Sequence, residues 1–381
     1  MPDAPATATD APALLRLAAG GLRAGLQRRL LDSHGTAAAA LAAGPRDWAS
    51  HGIPAEAVRE LRNPDPDALR RGERWLAEPG HHVLGWRDPD YPPLLRRIAS
   101  PPALLFVAGD PALLWRPALA IVGSRAATAG GCANAASFAR AMAATGLCVA
   151  SGLAAGIDGA AHQAALEAGG ATVAVLGTGP DVAYPVRHRP LLERIAAEGA
   201  VASEHLPGTG PLRQHFPSRN RILAGLSLGV LVVEAAERSG ALVTARLAAE
   251  AGREVFALPG SIHNPMARGC HRLLREGAAL VESPAEVLEA LAPLAADLAR
   301  TLRGSLEPGA AGDAPGPPTH APPPDGDHHR LWEALGHDPT GMDELVERSG
   351  LTAANVSSIL LAWELDGRVT SEHGRYTRTG A

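Results

Sequence analysis

Leu119-Ala-Ile-Val-Gly-Ser-Arg-Ala-Ala-Thr-Ala-Gly-Gly131 is the stretch that decides the fold. Its four opening apolar residues predict a buried strand, and an Ala-rich helix is predicted over residues 128–145. Gly123, Ser124 and Arg125 form the turn between them. Backbone N–H groups and the dipole at such a helix start attract anions, and the Arg125 guanidinium suits a phosphate. The alternative is a tight turn that binds nothing, since no glycine follows Gly123 at the spacing of a dinucleotide motif.

Apolar runs alternate with helical segments on both sides of this stretch. Because strands separated by helices pair in parallel, the pattern predicts an extended Rossmann-like, doubly wound α/β sheet in residues 81–295. Glycines and polar residues follow the strand ends, where sheets of this class bind their ligands. The predicted strands are residues 104–108, 119–122, 147–150, 172–176, 200–202, 230–233, 254–258 and 279–281.

The composition limits the chemistry of the chain. All 35 Lys and Arg positions are Arg, which excludes a Walker A P-loop and the lysines of Schiff-base and pyridoxal-phosphate enzymes. The formal net charge of -5 means that any nucleic-acid binding requires a local basic patch. The three cysteines form no Cys-x-x-Cys pair, and neither a signal peptide nor a long apolar run is recognisable. We therefore expect a cytoplasmic protein without a membrane span.

Smaller domains are predicted on both sides of the sheet. Residues 1–10 are expected to be a disordered tail, and residues 11–78 a small helical domain. That domain is either a packing module or a helix-hairpin-helix (SAM-like) module that holds a phosphate backbone. Residues 296–327 are Pro-rich and predict an extended linker. Residues 328–381 have the helix, turn, helix and hairpin order of a winged helix, which either binds DNA or docks on protein.

A basic and aromatic segment lies in a long stretch without acids. No Asp or Glu occurs between His205 and Val233, although acids outnumber Lys and Arg in the whole chain. Guanidinium groups for phosphates, a ring for base stacking and an amide for base edges are typical of single-strand nucleic-acid sites. The alternative is a surface loop whose arginines pair with distant acids while the ring joins the core. The candidate binding residues are Arg213, Phe216, Arg219, Asn220 and Arg221.

A glycine-rich motif follows the predicted strand 147–150. Asp158 and His162 are four residues apart and can share a helix face, so they are either metal ligands or a structural pair. A metal site needs a third protein ligand, which the motif does not indicate, and this favours the structural role. The motif residues are Ser151, Gly152, Gly156, Asp158 and His162.

A second candidate anion site follows the predicted strand 230–233. Ser239 and Gly240 lie where a helix begins, so their backbone can face an anion, and Thr244 lies within that helix. Glu234 at the strand end is a candidate general acid or base, which keeps an enzyme in consideration.

In their order along the chain, these motifs resemble those of the DNA-processing protein A family (DprA, also called Smf). The resemblance extends from about residue 81 to 290, and the flanking domains are similar to those of longer members. It implies single-stranded DNA binding, a homodimer and loading of the RecA recombinase during natural transformation. It also implies that Gly123, Ser124 and Arg125 hold phosphate and that residues 213–221 contact DNA. It implies no catalytic activity, and we expect neither a cofactor nor a metal.

The competing hypothesis is an enzyme. A similar Rossmann-like architecture occurs in nucleoside monophosphate phosphoribohydrolases of the lysine-decarboxylase-like family, which carry a Pro-Gly-Gly-x-Gly-Thr loop. The corresponding stretch here, Glu234 to Thr244, lacks that run of glycines. The sequence therefore favours DNA binding over hydrolysis.

Overall fold

A computed structural model describes residues 10–306, 327–335, 340–365, 369–372 and 375–378. The chain divides into two compact units, Met1–Leu302 and Arg303–Ala381. Residues 1–9 of the predicted tail, and residues 307–326 of the predicted linker, lie outside the described residues. Within the described ranges, no helix is long and apolar enough to cross a membrane.

The first unit is built on a nine-stranded sheet with the order β1-β2-β6-β5-β4-β3-β7-β8-β9. In this spatial order, every neighbouring pair from β6 through β3 to β9 is parallel. All eight predicted strands are present, and their ends differ from the prediction by about one residue, which is the usual uncertainty of strand boundaries. The strands are β1 (His81–Gly85), β2 (Leu104–Gly109), β3 (Ala118–Val122), β4 (Cys148–Ser151), β5 (Thr172–Val175), β6 (Ala200–Ser203), β7 (Gly229–Val232), β8 (Glu254–Ala257) and β9 (Ala279–Leu280).

Two features of the sheet differ from the sequence prediction. The strand β1 was not predicted, and it forms an antiparallel pair with β2 at one edge of the sheet. The strand β2 also runs antiparallel to β6, so the sheet is mixed rather than wholly parallel. The two residues that begin β1, His81 and His82, are polar and half-buried, which hides the strand from a search for apolar runs.

Helices cover both faces of the sheet. They are α1 (Ala11–Ala19), α2 (Ala24–His34), α3 (Ala37–Ser50), α4 (Ala55–Arg62), α5 (Pro66–Leu76), α6 (Pro93–Arg96), α7 (Ala129–Ala144), α8 (Ile157–Glu167), α9 (Arg189–Glu198), α10 (His215–Leu226), α11 (Gly240–Glu250), α12 (Arg268–Arg275) and α13 (Pro284–Leu306). Along β3, Ile121 packs with residues of α7 and α8, whereas Ala120 packs with residues of α10 and α11. Burial of alternate residues on opposite faces explains why the strand is continuously apolar.

The N-terminal helices belong to the same compact unit as the sheet. Leu14 and Leu30 share one core cluster with Phe106 and Val201 of the sheet. The carboxylate of Asp10 accepts hydrogen bonds from the first amides of α3, at 2.7 and 2.8 Å, so this last residue of the predicted tail is ordered. At the other end of the unit, α13 continues to Leu306, so the first residues of the predicted linker are helical.

The second unit has winged-helix architecture. It contains α14 (Asp327–Leu335), β10 (Thr340–Gly341), α15 (Met342–Ser349), α16 (Ala353–Leu365), β11 (Val369–Glu372) and β12 (Arg375–Arg378). Gly350 ends α15 in the left-handed conformation, at a φ of 68°, as the predicted turn requires. Trp332, Leu345 and Trp363 fill the core between the helices. Residues 373–374, between β11 and β12, lie outside the described part of the chain.

Candidate nucleic-acid interface

The sheet topology creates a groove beside β3. After β3 the chain proceeds through β4 and β5 to β6 on one side, and then returns to β7 on the other side of β3. Ligands of open α/β sheets bind at the carboxyl ends of strands at such a switch point. A groove of about 820 Å³ lies there. It is lined by every residue predicted for the nucleic-acid site except Arg221, namely Gly123, Ser124, Arg125, Arg213, Phe216, Arg219, Asn220, Ser239 and Gly240.

Three exposed arginines give this groove its positive charge. Arg125 follows β3, Arg213 precedes α10 and Arg238 precedes α11, and all three line the groove. Among the groove residues that the structure describes, the acid is Asp158, which is buried. The groove therefore combines a positive potential with donors that solvent, or a ligand, can reach.

Two aromatic rings lie in the same groove. The rings of Tyr184 and Phe216 are 5.2 Å apart between centroids, and Tyr184 is 43% exposed. The guanidinium carbon of Arg125 lies 5.5 Å from the centroid of the Phe216 ring, a cation–π distance. Tyr184 is not among the residues predicted for the site. Its only signal was the aromatic residue in the Tyr184-Pro185 pair after β5.

Arg219 lies at the base of the groove and is 5% exposed. Its guanidinium donates to the carbonyl of Val175 at the end of β5. A Cβ on Gly152 would lie 2.3 Å from a guanidinium nitrogen of Arg219, so a larger residue there would displace this guanidinium. Burial lowers the pKa of Arg219 to about 10, against the opposing effect of Asp158, and the side chain stays charged at neutral pH. Arg219 therefore holds the base of the groove together.

The next two residues of α10 are also engaged within the protein. The side-chain amide of Asn220 donates to the carbonyl of Gly240 at 3.4 Å, which links α10 to the start of α11. Arg221 forms an ion pair with Glu204, and both side chains are mostly buried. Arg219 and Asn220 line the groove, but Arg221 does not. The three adjacent residues predicted to bind nucleic acid are therefore not all on the groove.

The helix after the Gly123-Ser124-Arg125 turn already holds an anionic group. The Glu234 carboxylate accepts from the Thr128 backbone N–H at 2.9 Å and from its hydroxyl at 2.7 Å. A Cβ on Gly131 would lie 2.4 Å from the carboxyl carbon of Glu234, so a larger residue there would push this carboxylate away from the helix start. The predicted anion site at the start of α7 is therefore occupied by the protein's own carboxylate. This arrangement also gives Glu234 a structural role.

The second predicted anion site, at the start of α11, faces the groove. The Ser239 hydroxyl accepts from the Ala241 backbone N–H at 3.2 Å and caps the helix. Gly240 is exposed, and the space where its Cβ would lie is open. Thr244, one turn further, is buried beneath this end of the helix. The N-terminal end of an eleven-residue helix thus meets the groove.

The glycine-rich motif after β4 shapes the loop beneath the groove. Ser151 donates to the carbonyl of Ile121, and the Asp158 carboxylate accepts from the amides of Gly152 and Ala154 at 3.1 and 3.3 Å. Gly156 adopts a φ of 78°, and a Cβ there would lie 2.3 Å from the carbonyl oxygen of Ser124. These contacts fix the turn that carries Arg125.

The predicted pairing of Asp158 with His162 is absent. The Nδ1 atom of His162 lies 2.7 Å from the hydroxyl of Thr172 on β5, and the ring is fully buried. Burial lowers the pKa of His162 to about 3, while the pKa of Asp158 is raised by burial against the effect of Arg219. Helical spacing alone suggested the pair, but the sheet supplies a nearer partner.

Comparison with known proteins agrees with this architecture. The family model described as DNA recombination-mediator protein A matches residues 82–292, and the DprA winged helix domain model matches residues 315–375. Protein Smf of Escherichia coli (strain K12) is 41% identical over 308 residues, which is 80% of this chain and 79% of that protein. The DNA processing protein DprA of Streptococcus pneumoniae is 49% identical over 201 residues, or 53% of this chain and 71% of the relative.

Solved structures give the same assignment. The X-ray structure of DprA from Streptococcus pneumoniae has a TM-score of 0.66 at 39% identity, covering 72% of this chain and 96% of that one. A structure of the Helicobacter pylori protein, described by its single-stranded DNA binding mode, has a TM-score of 0.51 at 28% identity. It covers 56% of this chain and 96% of that one. The chain therefore belongs to the DNA recombination-mediator protein A family, whose relatives are named DprA and Smf.

Proposed function

We propose that the groove beside β3 binds single-stranded DNA. The observation that carries this proposal is the arrangement of three exposed arginines, Arg125, Arg213 and Arg238, around the rings of Tyr184 and Phe216. A positively charged groove with stacking rings is the usual architecture of single-strand sites. The single-stranded DNA binding mode described for the Helicobacter pylori relative supports the assignment.

Phosphates and bases make different contacts in this proposal. The exposed arginines pair with successive phosphates, and the start of α11 at Ser239 and Gly240 supplies a further anion contact. Phe216 stacks on an unpaired base, with Tyr184 beside it. A duplex keeps its bases stacked inside, so it gains the phosphate contacts without the stacking and binds more weakly.

Arg219, Asn220 and Arg221 act as positioning residues in the same proposal. Arg219 joins α10 to β5, Asn220 joins it to α11, and Arg221 joins it to Glu204. Together they fix the helix that carries Phe216. Their loss moves the ring and the exposed arginines apart, and affinity falls because the site is distorted.

We further propose that the chain acts in the cytoplasm as a homodimer that helps load the RecA recombinase onto incoming single strands during natural transformation. A dimer presents two grooves to one strand, and two linked weak sites bind far more tightly than one. This proposal rests on family membership and on the groove.

We also propose that the chain catalyses no reaction and uses no cofactor. Glu234, the candidate general acid or base, is committed to the start of α7 through Thr128. A base that already accepts two hydrogen bonds from its own protein is poorly placed to take a proton from a substrate. Glu234 is therefore a poor general acid or base for the reaction of a phosphoribohydrolase.

Fluorescence polarization with a labelled single strand tests the binding site. Phe216→Ala is expected to weaken binding by about 1–3 kcal/mol through lost stacking. The control is Arg140→Gln, which removes an exposed arginine of α7 that does not line the groove. Equal affinity for single strand and duplex, or unchanged binding by a folded Phe216→Ala variant, would refute the groove as the site.

A further inference from the structure

Two histidines and an aspartate meet between the second and third helices, in the N-terminal helical layer. His34 ends α2, Asp47 lies in the last turn of α3, and His51 follows α3 directly. The Nε2 atom of His34 lies 2.8 Å from an Asp47 carboxylate oxygen, and the Nε2 atom of His51 lies 3.6 Å from the same oxygen. One ligand atom from each of the three residues lies within 4.8 Å of the others.

This spacing fits a transition-metal site. Zn²⁺ binds imidazole nitrogens and carboxylate oxygens at about 2.0–2.2 Å, which places neighbouring tetrahedral ligands roughly 3.3 Å apart. The two distances to the Asp47 oxygen lie on either side of that value, and the ligand atoms all lie within 4.8 Å of one another. Side-chain rotations that bring the two imidazole nitrogens closer would complete a three-ligand site. The donor set also matches the chemistry, since two imidazoles and one carboxylate suit Zn²⁺ or Co²⁺ better than Mg²⁺ or Ca²⁺.

The backbone around the cluster is well held. Asp47 and His51 are four residues apart, so both face the same side of α3. The backbone N–H of His51 donates to the carbonyl of Asp47 at 3.1 Å, and the carbonyl of His51 accepts from Arg29 of α2 at 2.8 Å. His34 sits on the opposite helix. A metal ion here would therefore connect α2 to α3 across their junction.

The cluster is partly open to solvent. The side chains of His34, His51 and Asp47 are 19%, 25% and 33% exposed. Three protein ligands leave a fourth tetrahedral position, and the exposure lets a water molecule fill it. Neither histidine belongs to the DNA groove, so a role in DNA binding does not explain why the three groups meet.

We propose that His34, Asp47 and His51 form a binding site for a divalent transition metal of the Zn²⁺ class. The ion takes the Nε2 lone pairs of both imidazoles and one carboxylate oxygen, with water as the fourth ligand. The Nε2 proton that bridges His34 and Asp47 in the metal-free protein moves to Nδ1 or to solvent. A ligating imidazole nitrogen must be free of its proton, so protons compete with the ion for the same nitrogens.

His51→Gln is the sharpest variant for a test. It removes one ligand and leaves the 2.8 Å contact between His34 and Asp47 in place, so the helix junction keeps its direct link. His263→Gln is the matched control, since His263 is exposed and lies outside the cluster. Both are made in a Cys132→Ser background of the full chain without an affinity tag, because Cys132 is a partly exposed thiol.

The assay is titration of the metal-free protein with Zn²⁺ against a chromogenic chelator, followed by Co²⁺ absorption in the visible range. The wild-type background and His263→Gln are expected to bind one more equivalent than His51→Gln and to show an intense low-symmetry Co²⁺ spectrum. At 100-fold excess over the dissociation constant, the linked stabilisation shifts Tm by about 4 °C in these two proteins. Equal stoichiometry in all three proteins, with no Tm shift specific to the cluster, would overturn the proposal.

Discussion

Replacing Arg213 with Gln tests the contribution of one positive charge in the groove, because it removes the charge and keeps a polar side chain. Arg213 is exposed, lines the groove and forms no ion pair within the residues that the structure describes, so its loss leaves no buried charge behind. If Arg213 contacts one phosphate, its loss makes the slope of log binding constant against log salt concentration shallower by about 0.7. If the variant and the wild type bind equally at about 1 M salt, this difference in slope makes the variant bind about eightfold more weakly at about 0.05 M salt. At about 0.15 M salt the variant binds about fourfold more weakly.

The contrasting variant is Arg221→Gln. It leaves the Glu204 carboxylate, whose side chain is 13% exposed, without its partner, which is expected to cost about 3 kcal/mol of unfolding free energy. Since Arg221 does not line the groove, its loss removes no phosphate contact of its own. The slope of affinity against salt is therefore expected to stay close to that of the wild type, while affinity falls because α10 is less well held. Polarization titrations across a salt series, with urea melts of the same samples, measure both quantities. A stable Arg213→Gln variant with the wild-type salt slope would refute the assignment of a phosphate to Arg213.

Four further predictions follow from the same contacts. Glu234→Gln should lower Tm, and neither it nor the wild type should release base from nucleoside monophosphates; turnover that the variant loses would restore the enzyme hypothesis. Residues 1–306 should fold alone and keep single-strand affinity within tenfold, measured by polarization; a larger loss would make the winged helix a main DNA contact. Sedimentation of that fragment should show a dimer at tens of micromolar, and a monomer would contradict the proposed assembly. Burial holds the pKa of His162 near 3 in the folded protein, while the unfolded residue takes a proton near 6.5, so stability should fall as pH drops below that value. The contribution of His162 to the slope of unfolding free energy against pH is expected to be about 1.4 kcal/mol per pH unit in urea melts, and a His162→Gln variant with the wild-type slope would contradict it.

The strands and the groove were predictable because their signals are local. Each parallel strand is buried on both faces and therefore appears as a short apolar run, as at Leu119 to Val122. Once the strand order is known, the residues after strand ends must converge, and the turn at Gly123 to Arg125 meets the segment at Arg213 and Phe216. The edge strand β1 lacked that signal because His81 and His82 are polar.

Partners on neighbouring strands and loops were the part that sequence reasoning missed. Helical spacing linked Asp158 to His162, but the hydroxyl that satisfies His162 comes from Thr172 on a neighbouring strand. The alternative, in which arginines of the acid-free segment pair with acids outside it, applies to Arg221. Its partner is Glu204, the residue immediately before that segment. No local pattern identifies such pairs, because the sheet topology decides which loops become neighbours.

The position of Glu234 distinguishes the two predicted anion sites, at the starts of α7 and α11. The α7 and α11 helices both begin at the carboxyl edge of the sheet, and both dipoles favour negative charge there. At α7 the Glu234 carboxylate already satisfies Thr128, so a phosphate would have to displace an internal charge. At α11 the cap is the neutral Ser239 hydroxyl, and exposed Gly240 opens onto the groove. A phosphate is therefore expected at α11, with Arg125 reaching the strand from the turn rather than from a helix start.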